Sequence, residues 1–127
     1  MPDAGRLMRT LANVLVGLVA LLHVYFLVLE MFLWTRPAGR RAFGTTREFA
    51  EASKSLAANQ GLYNGFLAAG LLWALTRGAD GYALQVFFLG CVIVAGVFGA
   101  ATASRKILYV QALPAAVALA VTVLASR

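Results

Sequence analysis

The sequence predicts an all-α integral membrane protein, an up-down four-helix bundle with a short amphipathic helix in the loop between spans one and two. Three observations predict it. The 127-residue chain is 61% hydrophobic, with a mean hydropathy of +0.81, against the ~45–50% apolar usage of soluble domains. Its apolar residues fall into four long runs, Leu11–Trp34, Ala57–Leu75, Tyr82–Ala103 and Ile107–Leu124. The links after the second and third runs are too short for anything but antiparallel neighbours. In lipid every backbone polar group must be paired internally, so the runs read as helices.

The first run is long enough to cross a bilayer at ~1.5 Å per residue. Arg6 and Arg9 before it give it the look of a signal peptide. It is too long for one, and Trp34-Thr35-Arg36-Pro37 offers no small-residue cleavage site, so it reads as a retained span. Pro37, Gly39 and Gly44 then break the helix. Thr45-Thr46-Arg47-Glu48 reads as a capping box, with the Thr45 hydroxyl closing a helix start and Glu48 reaching back. Phe49, Ala52 and Leu56 recur at helical spacing beyond it, which predicts an amphipathic helix at the interface or running straight into span two. An ordinary solvated turn of helix is the competing reading.

Span two opens with the residues AANQGLYNGF, 57–66. Asn59 with Tyr63, and Gln60 with Asn64, are i,i+4 pairs and read as one polar arc. Gly61 and Gly65 read as a GxxxG step on the opposite face, where a neighbouring helix can approach closely. Gly78, Asp80 and Gly81 turn the chain into span three, which offers small residues at Gly96, Gly99, Ala100 and Ala103. Ser104-Arg105-Lys106 is the tight turn into span four, where Pro114 predicts a kink.

By length the chain is one domain, residues 1–127. The net charge of +6 could suggest nucleic acid, but the cations cluster between apolar runs as membrane anchors do, so the expected partner is the lipid bilayer and not nucleic acid. Seven of them (Arg36, Arg40, Arg41, Arg47, Lys54, Arg105, Lys106) fall on one side and four (Arg6, Arg9, Arg77, Arg127) on the other. The richer side, with the long first loop, is expected to be cytoplasmic. Cys91 is the single cysteine and lies mid-span, so no intrachain disulfide is available and the thiol reads as apolar filler.

The chemistry gathers around Glu30, an acid inside an apolar run. Such a group costs roughly 2.5–3.5 kcal/mol on insertion scales and normally has a partner or a task. At ~100° per residue His23, Glu30 and Trp34 share one stripe, with Tyr25 pointing away. His23 and Glu30 are two turns apart, too far to ligate one metal, and His23 is the single histidine, so neither a metal nor a cofactor is expected. Glu30, Asn59, Gln60, Asn64, Arg105 and Gln111 all fall toward the basic side. A polar cavity open to that side is therefore expected, lined by His23, Glu30, Trp34, Asn59, Gln60, Tyr63, Asn64, Arg105 and Gln111, with Arg105 as a partner for Glu30.

Bland alternatives stand beside each of these. Glu30 is a turn from Trp34 and could snorkel to the headgroups. His23 could be a neutral core residue bonded to a carbonyl, and the amides could be glue between helices. Trp34, Trp73 and Tyr82 fit an interfacial belt.

The stretches HVYFLVLEMFLW (23–34), FGTTREFAEASKSLAANQGLYNGFLAAGLLW (43–73), FFLGCVIVAGVFGAAT (87–102) and SRKILYVQALPA (104–115) together resemble a widespread group of small bacterial membrane proteins, catalogued as domain of unknown function thirteen-oh-four. The resemblance covers nearly the whole chain and is most specific at NQGLYNG. It implies a four-span, multi-pass protein of the inner (plasma) membrane, and it picks out His23, Glu30, Trp34, Asn59, Gln60, Tyr63 and Asn64. It implies no activity. Small multidrug exporters and emopamil-binding sterol isomerases share the four-span plan only, which is a weak warrant for function.

The residues favour a binder or carrier of a small amphiphilic or lipid-like molecule, with Glu30 as its protonatable centre and His23 as a deeper relay. A carboxyl withdrawn from water is a group that can exchange a proton for cargo. Such a small bundle could need to form a homo-oligomer to enclose a pathway. The alternatives are an acid–base enzyme, with Glu30 and His23 as catalytic candidates, and an accessory subunit of a membrane complex.

Overall fold

The computed structural model describes residues 3–127. Five α-helices follow one another: α1 (Ala4–Met31), α2 (Pro37–Phe43), α3 (Arg47–Thr76), α4 (Tyr82–Thr102) and α5 (Leu113–Ala125), with no strand among the described residues. Three stretches are long and apolar enough to cross a membrane: Ala4–Met31, Gly78–Thr102 and Leu108–Ala125. The 30-residue α3 is not among them. Glu48, Glu51, Lys54 and the amides of residues 59–64 dilute its N-terminal half.

The helix ends follow from local chemistry. Asp3 caps α1, its carboxylate accepting from the Arg6 N–H at 2.7 Å, which satisfies one of the orphan donors of the first turn. At its other end α1 stops at Met31, short of the expected Trp34, and residues 32–36 form turns. Pro37, expected only as a breaker, sits in the first turn of α2, where its fixed φ suits the helix and its missing N–H is not needed. Gly44 ends α2 in the left-handed region at φ 66°, a conformation that favours glycine.

The capping residue of α3 differs from the expected one. Thr46, not Thr45, accepts from the Phe49 N–H at 3.1 Å, so Glu48 falls one position early for a reciprocal box. The Thr45 hydroxyl is buried without a hydrogen-bond partner. The amphipathic segment runs unbroken into the rest of α3, and the separate short helix of the loop is α2 instead.

A short 3-10 turn, Gly78–Gly81, joins α3 to α4. Before α5 the chain forms a π-helical turn, Leu108–Ala112. Pro114 explains it, because its ring displaces the carbonyl one turn earlier and that carbonyl receives no N–H from it.

The chain divides into two compact units, residues 1–20 with 69–127, and residues 21–68. In the first unit Leu71, Leu89, Val92, Ala115 and Ala118 are buried. Small residues set its spacing. A Cβ at Gly96 would lie 2.7 Å from the Ala112 Cβ, and one at Gly99 3.0 Å from Ile107 Cγ2. The small face of α4 therefore receives the π turn that follows it in the chain. In the second unit the C-terminal part of α1 lies against α3. A Cβ on Gly61 would stand 2.7 Å from Met31 Cγ and 3.1 Å from Glu30 Cβ, and one on Gly65 2.7 Å from Leu27 Cδ1.

Candidate functional site

The site forms within the unit of residues 21–68, where α1 and α3 meet. Glu30 lies in the last turn of α1 and is only 8% exposed. Its Oε1 accepts a hydrogen bond from the Asn64 side-chain amide at 2.5 Å. Asn64 is itself buried. Within this unit no cation forms an ion pair with Glu30; the described ion pair there is the exposed Lys54–Glu51 contact at 3.4 Å.

The sequence explains how the two groups meet. Ala57, Gly61, Asn64, Ala68 and Leu71 are buried on α3. At ~100° per residue they span roughly 80° of one face. Four of the five are small or aliphatic, so the fifth, an amide, is the polar group that this face offers. Gly61, one turn before it, carries no side chain, which lets the α1 backbone come close enough for Glu30 to reach Asn64. The glycine step therefore lies beside Asn64, on the same face, and not opposite the polar residues as the sequence reading had it.

His23 is fully buried, two turns before Glu30 on the same helix. Its ring stands edge-on to Phe26, with centroids 5.5 Å apart. Val16, His23 and Glu30 form a buried stripe, while Tyr25 is half exposed. Trp34 leaves that stripe, because the helix has ended before it. Its indole N–H donates to Ser53 Oγ at 3.0 Å, and its ring packs on Phe43 with centroids 5.0 Å apart. The Ser53 hydroxyl in turn donates to the Phe49 carbonyl at 2.6 Å. Ser53 was missed in the sequence, where a lone serine among small and charged residues carries no signal.

Asn59, Gln60 and Tyr63 are exposed. Tyr63 lies beside Phe66, their centroids 6.0 Å apart. Of the four polar residues of the NQGLYNG run, Asn64 alone is brought to Glu30. Arg105 and Gln111 belong to the other unit. Arg105 is exposed, and Gln111 is half-buried in the π turn. Among the described residues no group of three or more His, Cys, Asp and Glu could hold a metal ion.

These features define an α-helical protein of membrane type, with three helices apolar enough to span and a carboxyl buried near the end of the first. The chain belongs to the family described as "Protein of unknown function (DUF1304)", which matches residues 17–123. It is similar to the "Uncharacterized protein YpaA" of Lactococcus lactis subsp. lactis (strain IL1403), at 32% identity over 106 residues, covering 82% of this chain and 89% of that protein. No solved structure matches the chain.

Proposed function

We propose that this chain is a four-span protein of the bacterial inner membrane that binds or carries a small amphiphilic molecule, with Glu30 as the group that exchanges a proton. The observation that carries this reading is the buried Glu30 carboxyl, held by the uncharged Asn64 amide and by no cation of its own unit. The magnitudes favour a task over a brace. Side-chain hydrogen bonds between membrane helices average ~0.6 kcal/mol and reach ~1.7. A carboxylate at the centre of a span costs roughly 2.5–3.5 kcal/mol, and one near its end less. Even part of that cost exceeds the average bond, whereas a leucine at this position would carry none.

The remaining span is residues 57–75 of α3, of which Phe66 to Leu75 carry no polar side chain. Lipid contact is supported by the large apolar side chains left exposed on α1 and α4, among them Leu18, Leu21, Phe87, Val94 and Phe98. These are too many for a surface meant for water. In this reading Asn59, Gln60 and Tyr63, exposed on α3, bond to the polar end of a ligand or to a second copy of the chain, since polar side chains facing lipid alone are unfavourable.

A structural role is the competing reading, and the close approach at Gly61 favours it. One pair of measurements separates the two. Purified wild type and Glu30→Gln are analysed by mass spectrometry for retained small molecules, with thermal unfolding followed in parallel. The glutamine carbonyl can accept the same Asn64 bond, so the fold is expected to survive while the retained amphiphile is lost. Equal retention by the two proteins rejects the proposal. A variant that merely unfolds supports the structural role.

A further inference from the structure

A second polar locus forms in the unit of residues 1–20 and 69–127. A cleft of about 430 Å³ opens there, lined by Arg9, Asn13, Tyr82, Gln85, Thr122 and Ser126 among others. That volume is within the ~300–1,000 Å³ of small-molecule sites. Thr122 is 3% exposed and Gln85 6%. The Thr122 hydroxyl is buried with no hydrogen-bond partner. A buried hydroxyl left unpaired is unfavourable by roughly 1–3 kcal/mol, so a polar residue at this depth points to something that completes it.

The lining decides the sign of that something. Arg9 contributes a guanidinium with five N–H donors. One of them makes a long bond, 3.4 Å, to the Ala125 carbonyl, which leaves the rest of the fork free to bind. Asn13 and Gln85 add amide donors, and Thr122 and Tyr82 add hydroxyls. The Ser126 hydroxyl is already directed at the Val123 carbonyl, at 2.6 Å. No carboxylate lines the cleft, so a cation would face Arg9 unopposed, whereas an anion would find one positive charge and several neutral donors. Arg9 is six residues into α1, Gln85 four into α4, and Thr122 four from the end of α5. All three therefore stand one to two turns inside their helix ends, at the depth where phosphate headgroups meet the acyl region in the four-span arrangement.

We propose that this cleft is a second binding site, one that takes a phosphate-bearing anion through the Arg9 fork and the Thr122 and Gln85 side chains. The phosphate can come from a lipid headgroup or from solution, and two arms of one experiment distinguish them. In the first, the protein is placed in nanodiscs of phosphatidylcholine containing a minor fraction of phosphatidylglycerol, and the retained lipids are counted by native mass spectrometry. In the second, inorganic phosphate is titrated into protein in phosphatidylcholine alone, and thermal unfolding is followed.

Enrichment of phosphatidylglycerol on the wild type, falling about tenfold in Arg9→Gln, identifies the headgroup, the factor being the scale of one lost charge-assisted hydrogen bond. Thermal stabilisation by phosphate that is lost in the same variant identifies the free anion. Thr122→Val and Gln85→Leu keep the volume and the packing, and are expected to weaken the same response if Arg9→Gln does not fold. Arg77→Gln, on the same side but outside the cleft, is expected to leave it unchanged. If neither probe binds the wild type, or if wild type and all three cleft variants respond alike, the site is overturned.

Discussion

Glu30 and Asn64 form the smallest unit on which the functional reading rests. The carboxyl is legible in the sequence because an acid in an apolar run has few explanations. Its partner was narrowed to a group of amides and not fixed, since Asn59, Gln60 and Asn64 differ only in azimuth. Taking Asn59 as zero, Gln60 falls at ~100°, Tyr63 at ~40° and Asn64 at ~140°, while the glycine at 61 falls at ~200°. The buried face is centred near ~160°, so it takes Asn64 and Gly61 together and leaves the others outside. A double-mutant cycle with Glu30→Leu and Asn64→Leu, each of which removes the bond, read by unfolding in mild detergent, is expected to give a coupling of about 0.5–1.5 kcal/mol. A coupling near zero removes the hydrogen bond as a feature of the folded protein.

At the scale of the helices, small sequence choices decide boundaries. The pair Thr45-Thr46 offers two caps, and propensity does not distinguish them; the geometry selects Thr46, whose hydroxyl reaches the third helical N–H. Thr46→Ala is expected to destabilise the start of α3 by about 1 kcal/mol and to speed amide exchange at Phe49. Thr45→Val, which removes a buried and unpaired hydroxyl, is expected to be neutral or slightly stabilising. The opposite ranking in a hydrogen-exchange experiment would return the cap to Thr45. The α2 helix escaped the sequence reading because Pro37 and Gly39 both read as breakers. Proline is also a good first-turn residue, and Gly39 is buried where a Cβ would run into the Leu33 carbonyl. At the other end of the chain the signal was plainer, since a proline inside an apolar run disturbs the turn before it, where the π-helical Leu108–Ala112 lies.

For the whole molecule, composition predicted the helical class and the apolar helices. Three of the four runs appear as helices of spanning length and apolarity. The other run falls short because Asn59, Gln60, Tyr63 and Asn64 sit inside even the least charged stretch of α3, and the wholly apolar part beyond them is too short to span alone. Topology mapping tests the four-span proposal. In a Cys91→Ala background, Arg41→Cys is expected to react with a membrane-impermeant thiol reagent only from the cytoplasmic side. Ala79→Cys and Ser126→Cys are expected to react only from the opposite side. Labelling of Arg41→Cys and Ala79→Cys from the same face would show that α3 does not cross.

The central claim is that Glu30 exchanges a proton while buried. Infrared difference spectroscopy of the protein in lipid, cycled in pH, tests it most directly. A protonated-carboxyl band that appears and disappears reversibly in the wild type and is missing from Glu30→Gln is the expected result. A spectrum in which no carboxyl change depends on Glu30 would contradict it, leaving the acid as a fixed element of the contact between α1 and α3.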